Sequence, residues 1–340
     1  MPGLTRCSAL CSIGSLADRP RGLILVSSVH AAALIARVVS TFCKSKSAAV
    51  SATFVGNARK SPLSNDEAPH DSSSSALDHN RAAWDRKVKQ RDRFARPAND
   101  EDFRDPLALV DRWGWLGGSV VGQRILCLGA GGGRQGPLYA AAGAVVTVVD
   151  ISPAQLELDR QVAAERRLAL TTVEASMDDL SMLGTADFDV IIHPVSTCYV
   201  PDLRPVYAEI ARLLGNGGLY ISQHKTPTSL QTDIRRSPGG YELIEPYYRR
   251  GPLPPVAGSR HREEGTLEYL HRWEDLIGLL CRTGFVIEDL IEPLHAKEEA
   301  EADSFADRCR YVAPYVRIKA RRVGQTAQQE SRGSLWLPGS

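Results

Sequence analysis

The run Leu128-Gly-Ala-Gly-Gly-Gly-Arg-Gln-Gly136 follows a short apolar segment, Arg124-Ile-Leu-Cys-Leu, and precedes a helical stretch over Pro137 to Ala142. Glycines at such a junction permit a tight turn and let a ligand approach the backbone closely. The next apolar run, Ala144-Val-Val-Thr-Val-Val, ends in Asp150. A carboxylate about 20 residues beyond a glycine loop can accept both hydroxyls of a ribose. Gly131, Gly133 and Gly136 fit the G-x-G-x-x-G spacing of a dinucleotide site, or the glycines only turn the chain from strand to helix.

The elements that must hold this loop follow from hydrophobic spacing. Leu168 to Glu174, Phe188 to Val195 and Gly217 to Ser222 read as further strands, with Phe285 to Pro293 and Tyr311 to Ala320 near the C terminus. Ser152-Pro153-Ala-Gln155 opens a helix, with serine as N-cap, proline at the first position and glutamine completing a capping box. Asp202 to Leu214 places Leu203, Val206, Ile210 and Leu213 on one face and stops at Gly215. Leu267 to Arg282 repeats Leu270, Trp273, Leu276 and Leu280, and stops at Gly284. His79 to Asp92 reads as a polar helix with Trp84 and Val88 on one face. Alternating strands and helices predict a parallel sheet covered on both faces. The last two strands lack a clear helix between them, which predicts antiparallel pairing at that edge. The expected fold is α/β: a Rossmann-like, doubly wound, seven-stranded sheet, mostly parallel with an antiparallel C-terminal edge.

Composition divides the chain. Residues 1–76 hold no Tyr or Trp, and up to Leu63 carry Asp18 as their single acid. They read as a disordered or spurious extension or as a targeting leader. Residues 77–121 read as a helical lid and connector, 122–323 as the main α/β domain with an insertion over about 224–271, and 324–340 as a flexible tail. The 41 basic and 40 acidic residues leave a net charge of +1, which removes the simplest argument for a nucleic-acid or anionic-membrane binder. Leu23 to Ala36 is too short for stable membrane insertion. The seven cysteines form no C-x-x-C pair and are odd in number, which argues against a disulfide framework or a structural zinc site and for a reducing, cytoplasmic setting.

Gly129-x-Gly131-x-Gly133 resembles motif I of the class I S-adenosylmethionine (SAM) methyltransferases. Val173-EASMDDL180, Phe188-DVIIHPVSTCYVPD202, Arg212-LLGNGGLYIS222 and Thr283-GFVIEDLIEP293 are similar to later motifs of that family, in the same order. Within it the chain resembles the type 11 group, which acts on small molecules and lipids. The segment His79-Asn-Arg-Ala-Ala-Trp84 is similar to a helix that lids the SAM pocket in related enzymes. The resemblance implies that SAM is the cofactor and that Gly129, Ala130, Gly131 and Gly133 line its methionine and ribose portion. It also implies that Asp150 holds the ribose, that Ile151 lies against the adenine, and that Met177 offers its backbone N–H to the adenine with Asp178 nearby. The chain departs from the family pattern at Cys127, where many members carry an acid. It departs again at Ser176, where an Asp is common beside adenine, and at His193-Pro194 after the fourth strand.

A sulfonium methyl group is already activated, so the protein mainly has to align a nucleophile opposite the sulfur. A general base is needed only where the acceptor must lose a proton, and His193 is the candidate. No paired-His spacing calls for a metal. The acceptor pocket is expected beyond the carboxyl ends of the strands, with Tyr199 and the insertion's His224, Tyr247, Tyr248, Arg249 and His261 as candidate contacts for a small-molecule acceptor. Two other functions stay open: a nicotinamide-dependent oxidoreductase and a non-catalytic SAM-binding protein. The Tyr-x-x-x-Lys spacing of one oxidoreductase class occurs only at Tyr315 to Lys319, on an expected strand rather than a helix.

Overall fold

The computed structural model describes residues 71–259 and 261–324. All of them fall within the compact unit Glu67–Ser340. The expected extension lies outside the described residues up to position 70, and the expected tail lies outside them beyond Gly324. In chain order the principal elements are helix α1 (Asp71–Lys89), strand β1 (Arg124–Leu128), helix α2 (Gln135–Ala141), strand β2 (Val145–Asp150), helix α3 (Pro153–Arg166) and strands β3 (Leu170–Glu174) and β4 (Phe188–His193). Helix α4 (Leu203–Leu213), strand β5 (Leu214–Lys225), helix α5 (Pro227–Gln231) and strands β6 (Phe285–Ile291) and β7 (Tyr315–Arg322) complete the set.

The seven strands form one sheet in the order β3-β2-β1-β4-β5-β7-β6. Strands β1 to β5 are parallel, and β7 runs antiparallel between β5 and β6. Strand β1 shows why both faces are covered. Leu126 and Leu128 point into one apolar cluster with Ile191, Tyr207 and Tyr220. Ile125 and Cys127 point into the other, with Val146, Val148 and Ile192, as the two-residue period of a strand requires. Cys127, the departure from the family pattern, is therefore a buried packing residue. The strand order reverses between β1 and β4, and a crevice opens at the carboxyl ends of strands at such a switch point.

Four expectations shift. Helix α1 begins at Asp71, ahead of the boundary expected at Leu77. Strand β5 runs on to Lys225, so His224 belongs to the sheet and the insertion starts after it. The stretch from Leu267 to His271 is not helical. The Tyr269 amide donates to Cys198 O and the Glu268 carbonyl accepts from Leu253, so these backbone groups are spent on neighbouring loops. Helical turns start only at Trp273–Gly278 and continue over Leu279–Arg282. Strand β7 begins at Tyr315 because Pro314 precedes it, and the Tyr315–Lys319 spacing lies on that strand. Among the described residues no helix is long and apolar enough to cross a membrane.

Ile191 is fully buried at the centre of the sheet. Replacing Ile191→Ala is expected to cost about 2–5 kcal/mol in urea unfolding with an unchanged denaturant slope.

Candidate functional site

The end of β2 organises the glycine loop. Asp150 Oδ2 accepts the N–H of Gly131 at 2.9 Å, and Oδ1 accepts the N–H of Ser152 at 2.9 Å. Ser152 caps α3 as expected, its hydroxyl accepting from Gln155 N at 3.2 Å. The second half of the expected capping box is replaced, because the Ser152 amide is taken by Asp150. The Gln155 side chain is thereby released toward the loop, where its Oε1 is buried without a partner among the described residues. The loop needs glycine at two positions in particular. Gly129 holds a φ of +57°, and a Cβ there would lie 2.6 Å from Ser196 Oγ. A Cβ at Gly131 would lie 2.7 Å from Gln155 Cβ and 3.0 Å from Asp150 Oδ2.

Asp159 is a second anchor that the sequence reading missed. Its Oδ2 accepts Gly132 N at 2.9 Å. Burial pushes its carboxyl up to about 7, against the loop amides of Gly133 and Gly132, which pull it down. Burial likewise raises the Asp150 carboxyl, opposed by the amides of Ser152 and Gly131. The signal for Asp159 was its place four residues after Gln155, one turn along the same helix face.

A cavity of about 590 Å³ opens beside this loop. Gly129, Ala130, Gly131, Asp150, Ile151, Ser176 and Met177 line one wall. Leu77, Asn80 and Trp84 of α1 line another, Arg93, Arg96 and Arg134 contribute further along, and Tyr199, Gln223, Glu263 and Tyr315 form one end. Helix α1 is fastened beside the cavity by its polar face. Arg81 Nε donates to Ile151 O at 3.0 Å, and Asp85 Oδ1 accepts the Ser152 hydroxyl at 2.6 Å. Asn80 is buried; it donates to Tyr199 O and Leu267 O at 3.0 and 3.1 Å and accepts from Leu267 N at 2.8 Å.

The end at Glu263 is built on charge. Lys225 Nζ donates to Glu263 Oε2 at 2.5 Å and to Glu268 Oε1 at 3.1 Å. The Tyr199 hydroxyl donates to Glu263 Oε2 at 2.7 Å, and Arg262 Nε donates to Glu268 Oε2 at 2.9 Å. Burial pushes the Glu263 carboxyl up, although Lys225 pulls it down. Glu268 is held below its ordinary value despite burial, by Lys225 first. These four charged residues carry no hydrophobic period, and the chain between Lys225 and Arg262 is irregular, so spacing alone did not join them.

The other sequence candidates fall outside the cavity lining. Gly133 faces α3, where its Cβ would meet Leu158 O at 2.9 Å, and Asp178 lies beyond Met177. His193 is buried, with Nδ1 2.9 Å from the Tyr220 hydroxyl, and burial pushes its pKa down to about 3. His193 is absent from the cavity lining, which Pro194, Val195 and Ser196 join, and its Nε2 is buried without a partner among the described residues. His224 is bonded to the Thr197 and Ser222 hydroxyls, both at 2.8 Å. His261 is bonded to Ser229 Oγ at 3.0 Å and stacks on Phe305. Tyr248 is exposed, Arg249 pairs with Glu245 at 2.7 Å, and the Tyr247 hydroxyl accepts from Trp273 N at 3.3 Å. The aromatic and basic run of the insertion is a surface, and Glu263 is the insertion's contribution to the cavity.

A methyltransferase-domain family model matches residues 126–222. The chain is 34% identical over 229 residues to the uncharacterized methyltransferase YbaJ of Bacillus subtilis, covering 63% of this chain and 89% of that protein. The chain belongs to the class I SAM-dependent methyltransferase family. It is also 31% identical over 112 residues to a ubiquinone biosynthesis O-methyltransferase of Xanthomonas oryzae, spanning 47% of that enzyme's length and 32% of this chain. A SAM-dependent methyltransferase structure from Mesorhizobium loti aligns at a TM-score of 0.47 and 22% identity, over 60% of this methyltransferase and 93% of the other chain.

His193 yields a pH prediction. Its folded value near 3 lies below the ordinary 6.5, so the unfolded chain binds the proton more tightly. The stability this methyltransferase owes to neutral His193 is full above about pH 6.5 and lost as pH falls toward 3. In urea unfolding between about pH 6 and pH 4, a His193→Gln variant is expected to gain on the wild type by about 1.4 kcal/mol per pH unit. Parallel stability curves would show that His193 titrates normally in the fold.

Proposed function

We propose that the cavity beside the glycine loop binds SAM and that the chain moves its methyl group to a small-molecule or lipid-like acceptor by in-line displacement. The observation that carries this reading is Asp150. Its carboxylate closes β2, lines the cavity and is fixed by the amides of Gly131 and Ser152, as a ribose-binding carboxylate must be.

The residues present fit such a cofactor. At Gly131 a side chain would fill the space next to Asp150. Gln155 Oε1 and Ser176 Oγ are buried on residues that line the cavity, without partners among the described residues. Buried polar atoms are ordinarily paired, so a polar ligand here would satisfy them. When bound, SAM supplies a methyl group already activated on a positively charged sulfur. Asp150 takes the ribose hydroxyls, and Gly129, Ala130, Gly131 and Gly133 keep the loop low enough for close approach. Ile151 would pack on the adenine and the Met177 amide would donate to it, with Ser176 beside them. Helix α1 excludes water and limits the directions from which an acceptor can enter, which is the alignment the reaction needs. His193 takes no part, because its ring does not line the cavity.

We place the enzyme in the cytoplasm, a setting that suits Cys127, Cys198, Cys281 and Cys309, which form no disulfide among the described residues.

The test is calorimetric titration with S-adenosylhomocysteine and, in parallel, NADH. S-adenosylhomocysteine should bind, and Asp150→Asn should weaken it by at least tenfold, about 1.4 kcal/mol, through loss of charge-assisted hydrogen bonds. Preferential binding of NADH, or an unaffected variant, would overturn the assignment.

A further inference from the structure

We propose that the Glu263 end of the cavity is the acceptor subsite, and that it takes a neutral compound with a flat apolar body and a hydroxyl group that donates to the Glu263 carboxylate. The inference rests on the methyltransferase reading and names the substrate class of that same site.

The charge arithmetic of the wall sets the class. Glu263 and Glu268 face Lys225 and Arg262 in one connected set of ion pairs, so the formal charges cancel. A neutral ligand leaves that balance intact. A cationic acceptor would bring an uncompensated charge into the same cavity as a positive sulfonium, where repulsion is weakly screened. An anionic acceptor would face the Glu263 carboxylate itself. Among polar groups, a carboxylate oxygen is an acceptor only, so its complement is a donor such as O–H.

The wall is also fixed in place. Glu268 Oε1 accepts the backbone N–H of Glu263 at 2.9 Å, and Tyr199 and Lys225 hold Glu263 Oε2. Buried ion pairs of this kind are commonly no more stabilising than apolar packing of the same shape. Its place on a cavity wall gives the set a use that stability does not. The flat body of the ligand would have aromatic neighbours: Trp84 and Tyr199 meet edge to face at 5.5 Å, and Tyr315 lines the same end.

The experiment uses the full chain saturated with sinefungin, an unreactive SAM analogue whose ammonium group stands in for the sulfonium charge, and follows phenol, anisole and benzylammonium by ligand-observed NMR. Phenol is expected to bind at least tenfold more tightly than anisole, which lacks the donor, and more tightly than benzylammonium. Glu263→Gln is expected to lose that preference for phenol, with retained S-adenosylhomocysteine affinity reporting that the variant is folded. Equal binding of phenol and anisole to the wild type, a preference for benzylammonium, or an unchanged preference in the variant would overturn the subsite. The wild-type comparison stands even if the variant does not fold. Failure of S-adenosylhomocysteine to bind the wild type would remove the methyltransferase reading beneath it.

Discussion

Two backbone amides, those of Gly131 and Ser152, donate to opposite oxygens of the Asp150 carboxylate, and the cavity's shape follows from that pairing. One bond pulls the glycine loop onto the end of β2. The other sets the entry of α3, whose Gln155 and Asp159 then support the loop from below. A half-buried carboxylate here is costly unless hydrogen-bonded. The amides offset part of that cost in the protein alone, and ribose hydroxyls would offset more.

Around this centre the chain brings together segments far apart in sequence. Asn80 on α1 holds the loop after β4 through Tyr199 O and the insertion through both backbone groups of Leu267. The insertion in turn places Glu263 against Lys225 at the end of β5. Helix α1, the loop and the insertion therefore share hydrogen bonds. The cavity joins a wall built from the glycine loop and Asp150 to one built on ionised side chains.

Much of this was legible because it was local. The alternation in β1, the proline after Ser152 and the four-residue apolar face of α4 each specify an element within a few residues. Asp150 was found because its distance from the glycine loop is set by one strand–helix–strand unit. What escaped was decided by long-range pairing. Glu263, Lys225 and Asn80 look like solvated polar residues in sequence, and only the fold shows them buried and bonded. Conversely, the composition of Tyr247, Tyr248 and Arg249 pointed to a binding surface, and these residues do not line the cavity. His193 ends a strand near the site, but strand residues alternate in direction, and its Nδ1 pairs with Tyr220 in the interior.

Hydrogen–deuterium exchange with and without S-adenosylhomocysteine is the most direct measurement of whether these segments form one cofactor cavity. Protection should rise together in three places: the glycine loop at 129–133, the Asp150–Ser152 turn, and the α1 segment carrying Asn80 and Trp84. Unchanged exchange in all three, or protection confined to a different region, would contradict it.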